Sequence, residues 1–359
     1  MSTLSPLPLP PDSGLETREV WRALNMAHRY LAELKGVCLS LPNPSLLTQT
    51  LSLQEAKDSS EIENIITTHD DLYATQGSDV EGLNLAAKEV QHYVQALQHG
   101  FKEVRDTGLI RLDTILAIQA EIEQNEAGLR ALPGTMLKND RTGETIYQPP
   151  QSKLEVEQLM TNLVDYIHDE QDELDPLLRM AIIHHQFESI HPFYDGNGRT
   201  GRILNILVLV REGLLDLPIL YLSRYINHSK ASYYELLQKA RDENRWDEWC
   251  VYILKGITET AKHEIQLIGQ LTALMRDYKH RIRKNYKFYS QDLLNNLFRY
   301  PYTKIEFIVD ELGVSRPTAT KYLDRLAKDG FLDKKKMGRS NFYVNTPLFT
   351  LLTSLSTPT

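Results

Sequence analysis

Apolar side chains recur at three- and four-residue spacing along most of this chain of 359 residues, which is the pattern of helices with one buried face. Strand signals are sparse by comparison. The length and a 42% share of apolar residues allow a sizeable core in two or three domains. We therefore predict a mainly α fold, with helices over Arg18–Lys35, Gln54–His69, Asn84–His99, Arg111–Gln124, Ser152–Asp169, Pro176–Glu188 and Tyr233–Arg241.

The clearest strand signal before the C-terminal tail lies between Met136 and Pro150. Short apolar ends flank a turn rich in Asn, Asp and Gly there, and a pair of prolines stops the second arm. We predict a small β-hairpin in this segment.

The tail follows a different pattern. A predicted helix, a turn at residues 312–314 and a second helix from Ser315, with Pro317 in its first turn, are followed by two short strands around Met337 and Gly338. This order is typical of a winged helix-turn-helix.

Charge is unevenly distributed along the chain. The formal net charge is −8, yet ten Lys and Arg against seven Asp and Glu from Phe288 onward give the tail +3 and leave −11 elsewhere. The chain as a whole is therefore not built to coat nucleic acid. DNA contact by the tail remains open, with a protein-contact or spacer domain as the alternative. The basic residues concerned are Arg316, Lys321, Arg325, Lys328, Lys334, Lys335, Lys336 and Arg339.

The cysteines, the lengths of the apolar runs and the N-terminal arm indicate the cellular compartment. The two cysteines, Cys38 and Cys250, are far apart and match no metal-ligand spacing, so we expect neither a disulfide nor a zinc site. No apolar run approaches the roughly 18 residues of a membrane span. The N-terminal arm lacks the basic flank and apolar core of a secretion signal. We expect a cytoplasmic protein without a membrane partner.

The stretch HPFYDGNGRTGR, residues 191–202, places an anion-binding backbone ahead of an apolar helix. Gly196, Asn197 and Gly198 fall at a predicted helix N-terminus, where unpaired N–H groups and the positive end of the helix dipole bind anions. Arg199 and Arg202 are three residues apart on one helical face and offer planar forks suited to phosphate oxygens. Taken singly, each feature is typical of an ordinary loop or a solvated helix.

Two further side chains of the stretch complete a reaction centre. Asp195 precedes the anion site and could hold a hard cation such as Mg²⁺ on phosphates. His191 is a candidate general base near neutral pH. Together these residues predict the transfer of a phosphorus-centred group from a nucleotide to a hydroxyl.

Because every fixed position is present in order, the stretch resembles the signature of Fic (filamentation induced by cAMP) domains, His-Pro-Phe-x-[Asp/Glu]-Gly-Asn-[Gly/Lys]-Arg-x-x-Arg. The resemblance extends from about Ser59 to Trp249, and the tail follows an arrangement common in bacterial members. It implies a Fic-type helical core with a small hairpin flap. It also implies protein adenylylation with ATP as substrate and Mg²⁺ as cofactor. In that reaction AMP moves to a Ser, Thr or Tyr hydroxyl of a target protein, or of the enzyme itself, and pyrophosphate leaves.

The resemblance also implies individual roles. His191 would deprotonate the target hydroxyl, Phe193 would fix the loop in the core, and Asp195 would bind Mg²⁺ on the α- and β-phosphates. Arg202 would reach the γ-phosphate. The nucleotide-binding set comprises Gly196, Asn197, Gly198, Arg199, Thr200, Gly201 and Arg202. His184 and His185 fall outside the signature and are expected to be packing residues.

Two more regions resemble parts of the family's site. The hairpin over residues 136–147 lies where the family places its flap, which would pair with the target's backbone by β-augmentation; the alternative is an ordinary hairpin over the core. Tyr233 and Tyr234 resemble the segment in which a tyrosine borders the adenine, with core packing as the alternative. Arg241 stands where some relatives have asparagine, which leaves strict ATP preference open.

A short motif near residue 60 has two interpretations. Ser60 and Glu63 have the spacing of a capping box at a helix start. Ser59, Glu63 and Asn64 also match the inhibitory motif [Ser/Thr]-x-x-x-Glu-[Gly/Asn] of self-inhibited Fic proteins that carry it on the N-terminal side of the core. In that class Glu63 would pair with Arg202 through a charge-assisted contact and keep the γ-phosphate from it.

These patterns predict four regions: an N-terminal helical region over 1–100 with an inhibitory helix near 59–69, a catalytic core over 101–256, a helical linker over 257–287 and a winged helix-turn-helix domain over 288–359. Two other functions stay open, namely removal of AMP from a modified protein and a DNA-binding regulator whose Fic core senses a ligand. The expected partners are a target protein at the flap and DNA or protein at the tail. The oligomeric state is open, with a homodimer as one alternative.

Overall fold

The structure, a computed structural model, describes residues 4–9, 14–39, 44–75, 85–138, 142–337 and 340–354. Helices predominate in these ranges, which confirms the predicted fold class. The helices are α1 (Arg18–Leu39), α2 (Pro44–Ile62), α3 (His69–Thr75), α4 (Leu85–Thr107), α5 (Leu112–Glu123), α6 (Lys153–Ile167), α7 (Pro176–Ile190), α8 (Asn197–Arg211), α9 (Ser223–His228), α10 (Lys230–Glu243), α11 (Trp246–Asn285), α12 (Gln291–Arg299), α13 (Ile305–Leu312), α14 (Arg316–Lys328) and α15 (Thr346–Ser354). The strands are β1 (Leu137–Lys138), β2 (Thr145–Tyr147), β3 (Tyr302–Thr303), β4 (Asp333–Met337) and β5 (Ser340–Val344).

The chain forms two compact units. The first comprises Met1–Lys35, Glu55–Ile65 and Glu89–Lys262, and the second comprises Gly36–Gln54, Ile66–Lys88 and His263–Thr359. Helix α11 is one uninterrupted helix of 40 residues. The domain boundaries predicted at residues 100, 256 and 287 stay predictions.

The centre of the first unit is a pair of helices that are buried on nearly every side. Each residue of α7 from Leu177 to Ile190 is buried, and so are most residues of α8. Helices α7 and α8 pack against each other, and α6 and α5 cover them. Asp175 caps α7 by accepting from the Leu177 N–H, with Pro176 at the first helical position. These two helices hold the signature stretch between them.

The segment around residue 60 differs from its prediction. The predicted helix Gln54–His69 is wrong at both ends, because α2 begins at Pro44 and ends at Ile62. Asn64 has a φ of 64° and stops the helix, since an L-residue in the left-handed region cannot continue a right-handed one. The capping-box interpretation of Ser60 and Glu63 is wrong as well, because Ser60 lies in the last turn of α2 and not at a helix start.

The hairpin predicted between Met136 and Pro150 is present. Strands β1 and β2 are antiparallel, with Leu137 opposite Tyr147 and Lys138 opposite Thr145. Residues 139–141 of its turn lie outside the described residues.

The tail has the predicted helices and strands of a winged helix-turn-helix. Ser315 caps α14 by accepting from the Thr318 N–H, and Gly313 ends α13 in the left-handed region. Strands β4 and β5 form the wing, in a sheet of order β3-β5-β4. The short strand β3 was not predicted, and Gly338 and Arg339 of the wing turn lie outside the described residues.

No helix in the part of the chain that the structure describes is both long and apolar enough to cross a membrane. Cys38 and Cys250 are both buried.

Candidate active site

A cleft of about 720 Å³ in the first unit gathers several of the predicted residues. Its walls are residues 62–64, both arms of the hairpin, the C-terminal end of α7, the start of α8 and one face of α10. The contributing side chains of α10 follow three- and four-residue spacing, which places them on one face of that helix. They are Lys230, Tyr233, Tyr234, Leu237, Gln238 and Arg241.

His191 lines this cleft from the end of α7. It is the C-cap residue of that helix, with a φ of 49°, and its N–H donates to the Phe187 carbonyl. Left-handed backbone is uncommon for residues other than glycine, although histidine is among those that adopt it more often. Phe193, two residues further along the chain, is fully buried against Phe187. The end of α7 therefore sets the direction of the imidazole.

The surroundings of His191 keep its imidazole neutral. Burial, followed by the positive charges of Arg130 and Arg241, lowers the pKa of His191 to about 4, against the weaker opposing effects of Glu63 and Asp195. The imidazole is thus unprotonated at neutral pH. A neutral imidazole can accept a proton from a hydroxyl.

The start of α8 has the geometry of an anion site. Gly196 is the N-cap residue with a φ of 77°, and a Cβ there would lie 2.5 Å from Glu123 Oε1. Asn197 closes the preceding loop, since its side chain accepts from the Phe193 N–H at 2.8 Å and donates to the Phe193 carbonyl at 2.9 Å. Gly198 lines the cleft, and a Cβ there would lie 2.2 Å from Glu63 Oε1, so the Glu63 carboxylate lies against the start of α8, where helix N–H groups favour an anion.

Arg202 is held by the end of α2. Its Nε donates to Ser59 Oγ at 2.8 Å, and its Nη2 donates to the Ser59 carbonyl and to Glu63 Oε1, both at 2.9 Å. Only 3% of the Arg202 side chain is exposed, against 35% of Glu63. Burial alone would raise the pKa of Glu63, but the charge and hydrogen bond of Arg202 lower it below its ordinary value. The two side chains are a charged pair at neutral pH.

Other contacts hold the C-terminal half of α2. Lys230 Nζ donates to the Ile62 carbonyl at 2.6 Å. Glu55, which is fully buried, accepts from Tyr93 Oη at 2.9 Å and bonds Ser223. Burial raises the pKa of Glu55 to about 7. Glu63 therefore reaches the cleft from a well-anchored helix end.

The other residues of the predicted nucleotide-binding set do not line the cleft. Arg199 is buried and donates to Glu89 Oε2 at 3.1 Å and to Glu123 Oε1 at 2.6 Å. Thr200 is buried, and Gly201 lies against α7, where a Cβ would meet Glu188 Oε1 at 2.8 Å. Their roles toward a nucleotide stay predictions.

Tyr233 and Tyr234 differ in how far their side chains are exposed to the cleft. Tyr233 is 2% exposed, bonds the His184 ring at 2.9 Å and packs against Trp249, whereas Tyr234 is 46% exposed on the cleft wall. His184 and His185 are both buried, as expected of packing residues, and burial lowers the pKa of His184 to about 3.

Arg241 approaches the flap. Its Nε donates to Ser189 Oγ at 2.8 Å, and its guanidinium lies 4.0 Å from the centre of the Tyr147 ring. Glu188 shares the cleft, and burial raises its pKa to about 7.

Asp195 is the candidate ligand for Mg²⁺. It is exposed, and its Oδ1 accepts from the Gly196 N–H at 2.8 Å. One carboxylate beside a phosphate site fits Mg²⁺, which usually keeps several waters and takes substrate phosphate oxygens. Within the described ranges no group of three or more His, Cys, Asp or Glu side chains could hold a metal ion.

Four residues at the site were missed by sequence reasoning: Arg130, Glu188, Glu123 and Lys230. They carry no motif of their own, and only Glu188 had a local signal, as the one carboxylate within α7, three residues before His191.

Comparison with known proteins places these features in a family. Family models described as Fic/DOC family N-terminal and Fic/DOC family match residues 21–102 and 109–209. A third, described as the C-terminal domain of SoFic-like protein adenylyltransferases, matches residues 274–348. A protein adenylyltransferase of Caenorhabditis elegans is 36% identical over 97 residues, which are 26% of this chain and 17% of the relative. A probable protein adenylyltransferase of Aquifex aeolicus is 38% identical over 81 residues, or 23% of this chain and 25% of the relative. The matches thus span a quarter or less of these relatives' length.

Solved structures show the same fold. A Fic family protein from Desulfovibrio desulfuricans superposes with a TM-score of 0.58 at 18% identity and covers 95% of this chain and 98% of that chain. The C. elegans protein superposes with a TM-score of 0.54 at 22% identity and covers 72% and 77%.

Proposed function

Because the chain belongs to the Fic/DOC family, we propose that it is a protein adenylyltransferase that transfers AMP from ATP to a Ser, Thr or Tyr hydroxyl of a target protein or of itself. One observation carries the proposal: a neutral His191, the start of α8 and Arg202 line a single cleft. A base for a hydroxyl and an anion site for phosphates are then within one ligand's reach.

The reaction follows from these positions. His191 accepts the proton of the target hydroxyl, and the oxygen forms a bond to the α-phosphorus of ATP. The bond between the α-phosphorus and the bridging oxygen breaks, and pyrophosphate leaves with that electron pair. The N–H groups at the start of α8 hold phosphate oxygens, and Arg202 takes the γ-phosphate. Asp195 would hold Mg²⁺, which offsets phosphate charge when bound.

In this proposal Glu63 inhibits the enzyme. Arg202 cannot take the γ-phosphate while its donors are directed to Ser59 and Glu63. ATP then binds with its α-phosphate out of line with the incoming hydroxyl. Ser59 and Asn64 support the inhibitory contact, the first by binding Arg202 and the second by ending α2 in a left-handed turn. The target's backbone would add to the flap, residues 136–147.

A second candidate reaction, removal of AMP from a modified protein, is favoured by the position of Glu63 itself. Its carboxylate lines the cleft together with His191, so it could orient a water toward a phosphorus held there. Removal of this carboxylate should increase AMP transfer but abolish AMP removal, so one substitution distinguishes the two reactions.

Isotope position tests the proposal. The full chain with Glu63→Gly is incubated with ATP labelled at either the α- or the γ-phosphate, alone and with cell lysate. We expect protein-bound label from the α-position only, and none after adding His191→Ala. Label from the γ-position would instead indicate phosphoryl transfer. Loss of AMP from a pre-modified protein by wild type, but not by Glu63→Gly, would favour the second candidate.

A further inference from the structure

Arg130 is a buried arginine outside the signature, in the segment between α5 and the flap. It is 1% exposed and is among the largest fully buried side chains of the described residues. Burying a guanidinium is unfavourable unless its donors are well used. The contacts of Arg130 therefore indicate what the residue is for.

Its donors converge on the backbone around His191. Nε donates to the carbonyl of His191 itself at 2.7 Å, and Nη2 donates to the Ile190 carbonyl at 3.1 Å. The backbone N–H of Arg130 donates to the Pro192 carbonyl at 2.8 Å. The last carbonyls of a helix lack partners within the helix, and a cation there is favourable. Arg130 thus fixes three consecutive peptide units at the left-handed turn that aims the imidazole.

The same guanidinium also holds the segment that directly follows the flap. Nη2 donates to the carbonyl of Pro150, three residues beyond the end of β2. Tyr147, the last residue of β2, donates its hydroxyl proton to the Ser189 carbonyl at 3.0 Å. The last residue of the flap and the segment that follows it are therefore joined to residues 189–191, through Tyr147 and Pro150. Arg130 is the one side chain in these hydrogen bonds that binds both that segment and His191.

We propose that Arg130 is a positioning residue that sets the register between the flap and His191, so that a hydroxyl on a segment paired with the flap meets the imidazole. This inference rests on the proposed function of His191 as base. It adds a requirement that the signature lacks, because the base and the target's docking strand must be held by a common side chain.

Two properties of Arg130 can be separated by substitution. Arg130→Lys keeps the positive charge but cannot reach several carbonyls with a planar fork. Arg130→Met removes both the charge and the donors at similar length. Arg179 supplies a matched control, since it is also buried, donates to the carbonyls of Tyr166 and Ile167, and does not line the cleft.

The charge has its own readout. The groups that act on His191 are Arg130, Arg241, Glu63 and Asp195, of which the two arginines lower its pKa. Loss of the Arg130 charge should raise the pKa of His191. A purely structural role of Arg130 would not predict a selective change of this kind.

The test uses the full chain carrying Glu63→Gly, with Arg130→Met, Arg130→Lys or Arg179→Met added. Nuclear magnetic resonance follows the His191 imidazole against pH and the backbone signals of residues 147–150 and 190–192. Calorimetry measures ATP affinity, and the rate of AMP transfer is measured in parallel. For Arg130→Met we expect a raised His191 pKa, shifted signals in both segments, unchanged ATP affinity and a rate lower by about 10²-fold. For Arg130→Lys we expect the pKa of His191 to be close to that of the Glu63→Gly parent, because the positive charge is kept. The rate of AMP transfer should still be low, because the planar fork is lost.

Several outcomes would overturn the proposal. A rate for Arg130→Lys and Arg130→Met close to that of the parent would do so. Equal losses of AMP-transfer rate and ATP affinity in the Arg130 and Arg179 variants would also overturn it. Such a result would mean that Arg130 only stabilises the fold. If the parent transfers no AMP, the proposed function fails, and the magnetic resonance measurements still decide whether Arg130 links the flap to His191. Should Arg130→Met not fold, Arg130→Lys alone tests the loss of register.

Discussion

Replacing Glu63 with Gly removes one of the three contacts on Arg202 and leaves the two from Ser59. A hydrogen bond between charged groups contributes about 1.5–3 kcal/mol. Because 35% of the Glu63 side chain is exposed, the free energy of unfolding should fall by less, about 1–2 kcal/mol. Typical domains have about 5–15 kcal/mol of stability, so the variant should remain folded.

The effect on the reaction should be much larger than the effect on stability. A freed Arg202 can hold the γ-phosphate and bring the α-phosphate into line with the hydroxyl. Misplacement by about 1 Å can reduce a rate about 10²-fold, so correct placement should raise the rate of AMP transfer by about that factor or more. Intact mass after incubation with ATP and Mg²⁺ measures the result, as added AMP units on the chain. Wild type should add little.

Glu61→Gly is the matched control, because Glu61 lies two residues away and pairs with Lys57 at 3.0 Å. It introduces glycine into the same helix end without touching Arg202, and we expect no activation. Adding Arg202→Ala to Glu63→Gly should cancel the gain, since the freed guanidinium is the group that acts. The reasoning is refuted if Glu63→Gly is as inactive as wild type toward itself and toward cell lysate, or if Glu61→Gly activates equally.

Two further predictions concern acid stability and the tail. His184 is fully buried and bonds Tyr233, and its pKa of about 3 in the folded protein lies below the value of about 6.5 in the unfolded chain. The contribution of neutral His184 to the free energy of unfolding is therefore fully present above about pH 6.5. It is lost as the pH falls toward the folded pKa. The free energy of unfolding, measured by urea denaturation, should differ less between pH 7.5 and pH 5 in His184→Gln than in wild type, by about 2 kcal/mol. An equal difference in the two proteins would contradict this. In the tail, Arg316, Arg325 and Lys334 pair with nearby carboxylates, so DNA retention should be weak, with a slope of log K against log salt of about −2 to −4. A steeper slope, or none, would contradict that expectation.

The sequence predicted the elements that depend on local chemistry. Ser315 and Gly313 mark a helix start and a helix end by their own backbone and side-chain preferences, and the structure has both. The helix predicted to start near Gly198 begins at Asn197, because Gly196 takes the left-handed conformation that ends the preceding loop. Such signals need no knowledge of distant residues.

Features that depend on tertiary contacts could not be predicted. Arg130 has no motif, and its position becomes informative only once residues 190–192 and the segment after the flap bring four carbonyls around it. The end of α2 was placed too far along the chain, because apolar spacing continues past Ile62 while Asn64 takes a left-handed conformation. The strand β3 has two residues and gains its structure only from pairing with β5.

The left-handed backbone of His191 also bears on how such a chain can be improved for heat resistance. A residue other than glycine in that region is strained by about 1 kcal/mol or more. Glycine would relax the turn, yet it would remove the imidazole. Selection for thermal stability alone would therefore tend to erase this histidine, and libraries built for robustness should keep position 191 fixed and seek their gains elsewhere.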